Sequence, residues 1–145
     1  RGFQEFNVAM GGTLHPEIRD LPGRDNHRMP PDGTLAEKFE YRHLVLMKSD
    51  SQFNPIFGSH EVRVNSLHGQ GIDKAGGRVN IEGYAPDGTP EALTIDDARG
   101  FAMAVQWHPE YNAKNDPVSK PLFKAFGDAL IRWQNDTETS KSDLF

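Results

Sequence analysis

Residues 101–106 constrain this chain more than any other segment, because Phe101-Ala102-Met103-Ala104-Val105-Gln106 is apolar without alternation and reads as a strand buried on both faces. The run stops at Trp107-His108-Pro109-Glu110. In α/β folds the ends of such strands are where sites are built. Pro109 removes one soft dihedral between the imidazole and the carboxylate. A carboxylate beside a histidine holds its tautomer and stabilises its cation. His108 therefore reads as a general base and Glu110 as the group that orients it. Taken alone, a histidine and a glutamate one residue apart form a weak motif, since such residues also pair on surfaces.

The rest of the chain supplies a frame for that pair. Phe3, Phe6 and Met10 fall on one face of a helix that Gly11-Gly12 ends. Residues 13–41 carry Pro16, Pro22-Gly23, Pro30-Pro31 and Asp32-Gly33, and this density of breakers predicts a long irregular loop. His15 and Glu17 belong to that loop first and to a substrate contact second. His43–Met47 is a compact apolar strand. Glu61–Asn65 alternates, with Val62 and Val64 facing one way, and delivers Ser66-Leu67-His68-Gly69-Gln70-Gly71 at its end. Residues 79–85 and 92–95 flank Asp87-Gly88 and read as a hairpin with an exposed tip. Asn115-Asp116-Pro117 is a helix-start signal, after which Leu122, Phe123, Phe126, Leu130 and Trp133 keep helical spacing as core positions. Residues 137–145 lack periodicity and read as a frayed tail.

Composition removes several function classes. The net charge of -5 comes with no basic stripe, which argues against a nucleic-acid partner. No stretch is apolar enough for a bilayer or a signal segment, so a membrane role is not expected and a cytoplasmic location is. With no cysteine in the chain, neither a disulfide framework nor a thiolate metal site is available within it. Six histidines invite a metal reading, but no pair has the close spacing of a helical metal motif, so no metal is expected.

Three segments in order, Arg1-Gly2-Phe3-Gln4-Glu5, Asn65-Ser66-Leu67-His68-Gly69-Gln70-Gly71 and Gln106-Trp107-His108-Pro109-Glu110, resemble the class I glutamine amidotransferase-like superfamily of the peptidase C26 type. The likeness is closest to its γ-glutamyl-γ-aminobutyrate hydrolases of polyamine (putrescine) breakdown. It covers residues 1–134, with 135–145 left as a polar tail. It implies the C-terminal half of a doubly wound, mostly parallel, flavodoxin-like sheet with a small antiparallel hairpin, the N-terminal half lying before Arg1.

The resemblance also implies the chemistry. In Gly-x-Cys-Arg-Gly of that family the cysteine is the nucleophile, so it is expected immediately before Arg1. His108 would be its base, Glu110 would orient His108, and the Arg1 backbone N–H would face the oxyanion. Gln4, Ser66, Leu67 and His68 would shape the γ-glutamyl pocket. Partners implied are a small γ-glutamyl molecule and the preceding half of the protein, with a homo-oligomer left open. Arg19, Arg24 and Arg28 would meet a leaving-group carboxylate or stand as solvated loop charges. Other readings are the glutaminase part of an amidotransferase, a folate-type γ-glutamyl peptide hydrolase, and an inactive γ-glutamyl-binding relative.

Overall fold

The computed structural model describes residues 1–142. Helix α1 spans Gly2–Ala9 and strand β1 Thr13–His15, followed by the one-turn helix α2 (Leu35–Lys38) and strand β2 (His43–Met47). A second short helix, α3 (Asn54–Phe57), leads to strands β3 (Glu61–Val64), β4 (Gly71–Lys74), β5 (Val79–Tyr84), β6 (Pro90–Ile95) and β7 (Met103–Val105). Helix α4 closes the order at Ser119–Ser142.

Five strands form one sheet in the order β3-β2-β5-β6-β7, and β1 pairs with β4 in a separate ribbon. Every pairing among the described residues is antiparallel. This corrects the expectation of a mostly parallel sheet within this chain. The reason lies in the connections: a parallel pair needs a crossover of roughly a dozen residues or more, usually a helix, whereas β5, β6 and β7 follow one another through short turns. The 13–41 segment is also less irregular than its breakers predict, because β1 and α2 form within it.

The sheet is covered on both faces. Val45, Met47, Phe53, Val62, Val64, Ala92, Trp107 and Leu122 form one core, under α3 and α4. Phe3, Ile72, Val79, Ile81 and Leu93 form the other, under α1 and the β1–β4 ribbon. Ala92 and Leu93 are neighbours on β6 and serve opposite cores, as the period of two requires. Burying Phe3 contributes about 2–3 kcal/mol. Beside it on α1, Asn7 is fully buried and none of its polar atoms is wasted. Its amide donates to the Thr13 and Lys74 carbonyls at 3.1 Å each, and its oxygen accepts from Gly76 N–H at 2.9 Å. That one side chain fastens α1 to the ribbon.

Asp116 starts α4 as its spacing predicts, since its carboxylate accepts from Ser119 N–H at 2.7 Å and its carbonyl from Lys120 N–H. The helix then runs past Trp133 to Ser142, so residues 137–142 are helical where a frayed tail was expected, and residues 143–145 lie outside the described part. Phe123, Phe126, Leu130 and Trp133 keep their spacing but are exposed, so only Leu122 of that row is core among the described residues. Strand β7 is half-buried and stands at the sheet edge, not inside it. No described helix is long and apolar enough to cross a membrane.

Candidate active site

The chain leaves β7 with one further pairing, Gln106 N–H to the Glu91 carbonyl at 2.8 Å, buries Trp107, and presents His108. His108 Nδ1 lies 2.7 Å from Glu110 Oε1. Their side chains are 37% and 62% exposed, so the pair is open to solvent and to a reactant. Because a carboxylate only accepts, Nδ1 carries the hydrogen and Nε2 presents a lone pair. That is the tautomer a general base needs.

Asn65 fixes the backbone on which this pair depends. Its Oδ1 accepts from His108 N–H at 2.8 Å and its Nδ2 donates to the His108 carbonyl at 2.9 Å. The side chain thus copies one rung of a strand ladder. Its position in the Asn65–Gly71 segment gave no hint of this, because the contact joins residues far apart in sequence.

Across from His108 stands the N-terminus of α1, with Arg1 as its N-cap residue and no side-chain cap. The Arg1 carbonyl accepts from Gln4 and Glu5 N–H, and its guanidinium pairs with Glu5 at 2.8 Å on the surface. Gln4 reaches inward, donating to the Gln70 carbonyl at 3.1 Å and to Gln106 Oε1 at 3.2 Å. Arg1, Gln4, Leu67, His68 and His108 together line one cleft of about 800 Å³. Sequence spacing alone places these residues on three separate segments, and the fold joins them.

Ser66 does not line that cleft. It is buried, and its hydroxyl turns to His27, 3.1 Å from the ring and 3.0 Å from the carbonyl oxygen. His68 is also buried, between the Gln70 carbonyl at 3.0 Å and Glu91 at 3.2 Å. The glycines of the loop make room for neighbouring side chains: a Cβ on Gly69 would meet the Arg28 guanidinium at 2.8 Å, and one on Gly71 would meet Ile18 at 2.5 Å.

His108 also lines a second cavity, of about 340 Å³, on the side of Phe39, Tyr41, Asn65 and Tyr111. Phe39 stacks on Tyr111 with centroids 4.0 Å apart and meets the His108 ring edge-on at 5.9 Å. Tyr41 donates to Asp116, and that hydrogen bond, with burial and the Asp116 charge, pushes the phenol up to about 12. Arg19, Arg24 and Arg28 line neither cavity. Arg28 and Arg19 face Glu17, whose carboxyl is held low by the hydrogen bond from Arg28, and Arg24 donates to the Asp87 carbonyl at 2.6 Å.

The hairpin tip departs from expectation as well. Gly88 has φ 83, as an Asp-Gly turn requires, but Asp87 is only 4% exposed and sits 2.8 Å from His27 Nε2. Burial pushes its carboxyl up, yet hydrogen bonds from Asp25 N–H, His27 and Thr89 outweigh that and hold it far below the usual range.

The His108–Glu110 pair at a strand end thus stands across from a helix N-terminus in an α/β chain, and the same residues fall within a match to a known family. The peptidase C26 family model matches residues 1–110, and the chain belongs to that family. It is 34% identical over 136 residues to a γ-glutamyl-γ-aminobutyrate hydrolase of Shigella flexneri, covering 93% of this chain and 52% of that protein. To the γ-glutamyl-γ-aminobutyrate hydrolase of Escherichia coli K12 it is 35% identical over 127 residues, 87% of this chain and 50% of that protein. The chain thus spans about half the length of the curated relatives it matches. The crystal structure of a glutamine amidotransferase from Thermotoga maritima shares the fold with a TM-score of 0.51 at 17% identity, over 90% of this chain and 46% of that one.

Proposed function

We propose that this chain is the base-bearing half of a thiol-dependent γ-glutamyl amide hydrolase, acting on γ-glutamyl-γ-aminobutyrate in polyamine (putrescine) breakdown. The observation that carries the reading is the cleft itself: His108, oriented by Glu110, faces the N-terminus of α1. A helix N-terminus favours an anion, so a cysteine immediately before Arg1 would be held as thiolate and the Arg1 N–H would meet the developing oxyanion. Residues 1–134 then form the later half of one domain. Strands of the preceding half would pair along the open edge of β7 and cover Phe6, Phe123 and Phe126, which surround an apolar hollow beside it.

The steps balance as follows. The thiolate adds to the γ-carbonyl carbon, the oxyanion is met by backbone N–H groups, and His108 Nε2 gives the thiol proton to the leaving amine. A γ-glutamyl thioester remains. Water then loses a proton to His108, attacks the thioester, and releases glutamate and the thiol. Gln4, Leu67 and His68 border the γ-glutamyl side of the imidazole, with the Ser66 backbone behind them, and the Phe39–Tyr111 cavity on its other side suits the leaving amine. The reaction asks for no metal or organic cofactor, and the site is read as cytoplasmic.

The test is turnover of γ-glutamyl-γ-aminobutyrate and of glutamine by the full-length protein, with the thioester trapped by acid quench and located by mass. Release of 4-aminobutyrate through an adduct on the residue before Arg1 supports the reading. Preference for glutamine would move it to an amidotransferase glutaminase, and binding without turnover to an inactive relative.

A further inference from the structure

Behind the cleft, four segments distant in sequence bring His27, His43, His68 and Glu91 together. Glu91 is fully buried, and its Oε1 stands 3.2 Å from His68 Nε2, 3.6 Å from His27 Nδ1 and 3.6 Å from His43 Nε2. The other nitrogen of each ring is already engaged. His43 Nδ1 lies 2.9 Å from the Leu44 carbonyl and His68 Nδ1 3.0 Å from the Gln70 carbonyl. A carbonyl only accepts, so those nitrogens carry hydrogen, and Nε2 of each ring is the atom turned toward Glu91. His27 Nε2 donates to Asp87 at 2.8 Å and presents Nδ1 in the same way. Ser66 Oγ, 3.1 Å from that nitrogen, has the His27 carbonyl at 3.0 Å to take its proton, and so adds another lone pair.

His27 Nδ1 and His43 Nε2 therefore converge on one carboxylate oxygen in a nearly buried place. Such a set repels itself unless a cation stands inside it. A proton bridges one edge only, and 3.6 Å is too long for a hydrogen bond. Indeed, among the described residues, His43 Nε2 and Glu91 Oε2 find no hydrogen-bond partner. A tetrahedral ion with bonds of 2.0–2.1 Å sets its ligands about 3.3–3.4 Å apart, close to the 3.6 Å that separates His27 Nδ1 and His43 Nε2 from Glu91 Oε1. One ligand atom from each of His27, His43 and Glu91 lies within 4.8 Å of the other two.

We propose that His27, His43 and Glu91 form a site for a zinc-like divalent cation that holds this part of the fold together. Imidazoles with one carboxylate suit zinc. Hydrogen bonds from the far ring nitrogens to Asp87 and to the Leu44 carbonyl are the outer support that metal-bound histidines use. Glu91 and His27 are buried and His43 is nearly so, and an ion among them ties the loop around His27, β2 and β6 into one unit. The proposal departs from the metal-free expectation drawn from spacing, because ligands at 27, 43 and 91 leave no local motif.

The test is metal analysis of the full chain purified without a histidine tag, followed by titration of the chelator-stripped protein with zinc and cobalt. About one equivalent of bound zinc, tetrahedral cobalt bands in the visible spectrum and a melting temperature that rises with zinc are expected. Glu91→Gln, which keeps the volume, loses the stoichiometric metal, and Asp87→Asn weakens its affinity about 10–100-fold. Should a variant fail to fold, the cobalt spectrum of the native chain decides alone. Absence of bound metal together with no response to zinc overturns the site and assigns the cluster to protonated histidines. Unchanged metal content in a folded Glu91→Gln variant also overturns it. None of these readouts depends on γ-glutamyl turnover.

Discussion

His108 and His43 each face a glutamate, and the two pairs are built for opposite purposes. His108 meets Glu110 at 2.7 Å in the open, with Nε2 left for a reacting partner. His43 faces a carboxylate with no exposure at all, at 3.6 Å, with its other nitrogen on a backbone carbonyl. An exposed pair can gain and lose a proton during turnover, because water and substrate reach it. The buried set is part of what holds the loop and hairpin in place. The same residue types thus suit chemistry or architecture according to access.

The largest expected effect breaks the open pair. His108→Ala lowers γ-glutamyl turnover by about 10⁴-fold, the upper range for an acid–base residue, while unfolding in urea shifts by no more than about 0.5 kcal/mol. Breaking the buried set reverses that pattern. Glu91→Ala costs about 3–5 kcal/mol of stability in the same urea experiment, since the cation proposed among the rings loses its buried counter-charge.

A third substitution separates aiming from chemistry. Asn65→Ala removes both contacts to the His108 backbone and lowers kcat on the order of 10²-fold with KM little changed, and Asn65→Asp, which still accepts from His108 N–H, falls between. The smallest effect lies far from either glutamate. Burial pushes the Asp116 carboxyl up, but hydrogen bonds from Ser119, Tyr41 and the Val118 N–H outweigh it and lower it. Its folded value is depressed, so its stabilisation is present above the unfolded value of about 3.9 and is lost as pH falls through the folded one. Asp116→Ala therefore costs about 1 kcal/mol near neutral pH, a difference that closes in acid when melting is compared across pH.

What the sequence made legible were local signals. The helix after Arg1, the strands at His43 and Glu61, the Asp-Gly hairpin and the Asp116 cap each depend on residues within a few positions of one another, and they form where expected. Strand direction did not follow, because an apolar run such as 101–106 looks the same in a parallel interior and at an antiparallel edge. His108 and Glu110 were legible as a pair because Pro109 alone separates them. Asn65, Asn7 and Glu91 were not, since their roles rest on contacts to residues 43, 67 or 23 positions away.

One more property follows from the Asn65 contact. Residue 65 follows β3 and residue 108 follows β7, which are the two outer strands of the five-stranded sheet. Four strand spacings of about 4.8 Å would hold those edges about 19 Å apart in a flat sheet, yet the Asn65 amide spans them with two hydrogen bonds under 3 Å. The connection acts as a chord across an arc. Flexing that opens the arc must first stretch those two bonds, so the imidazole moves with the curvature of the whole sheet and not with the breathing of its last strand.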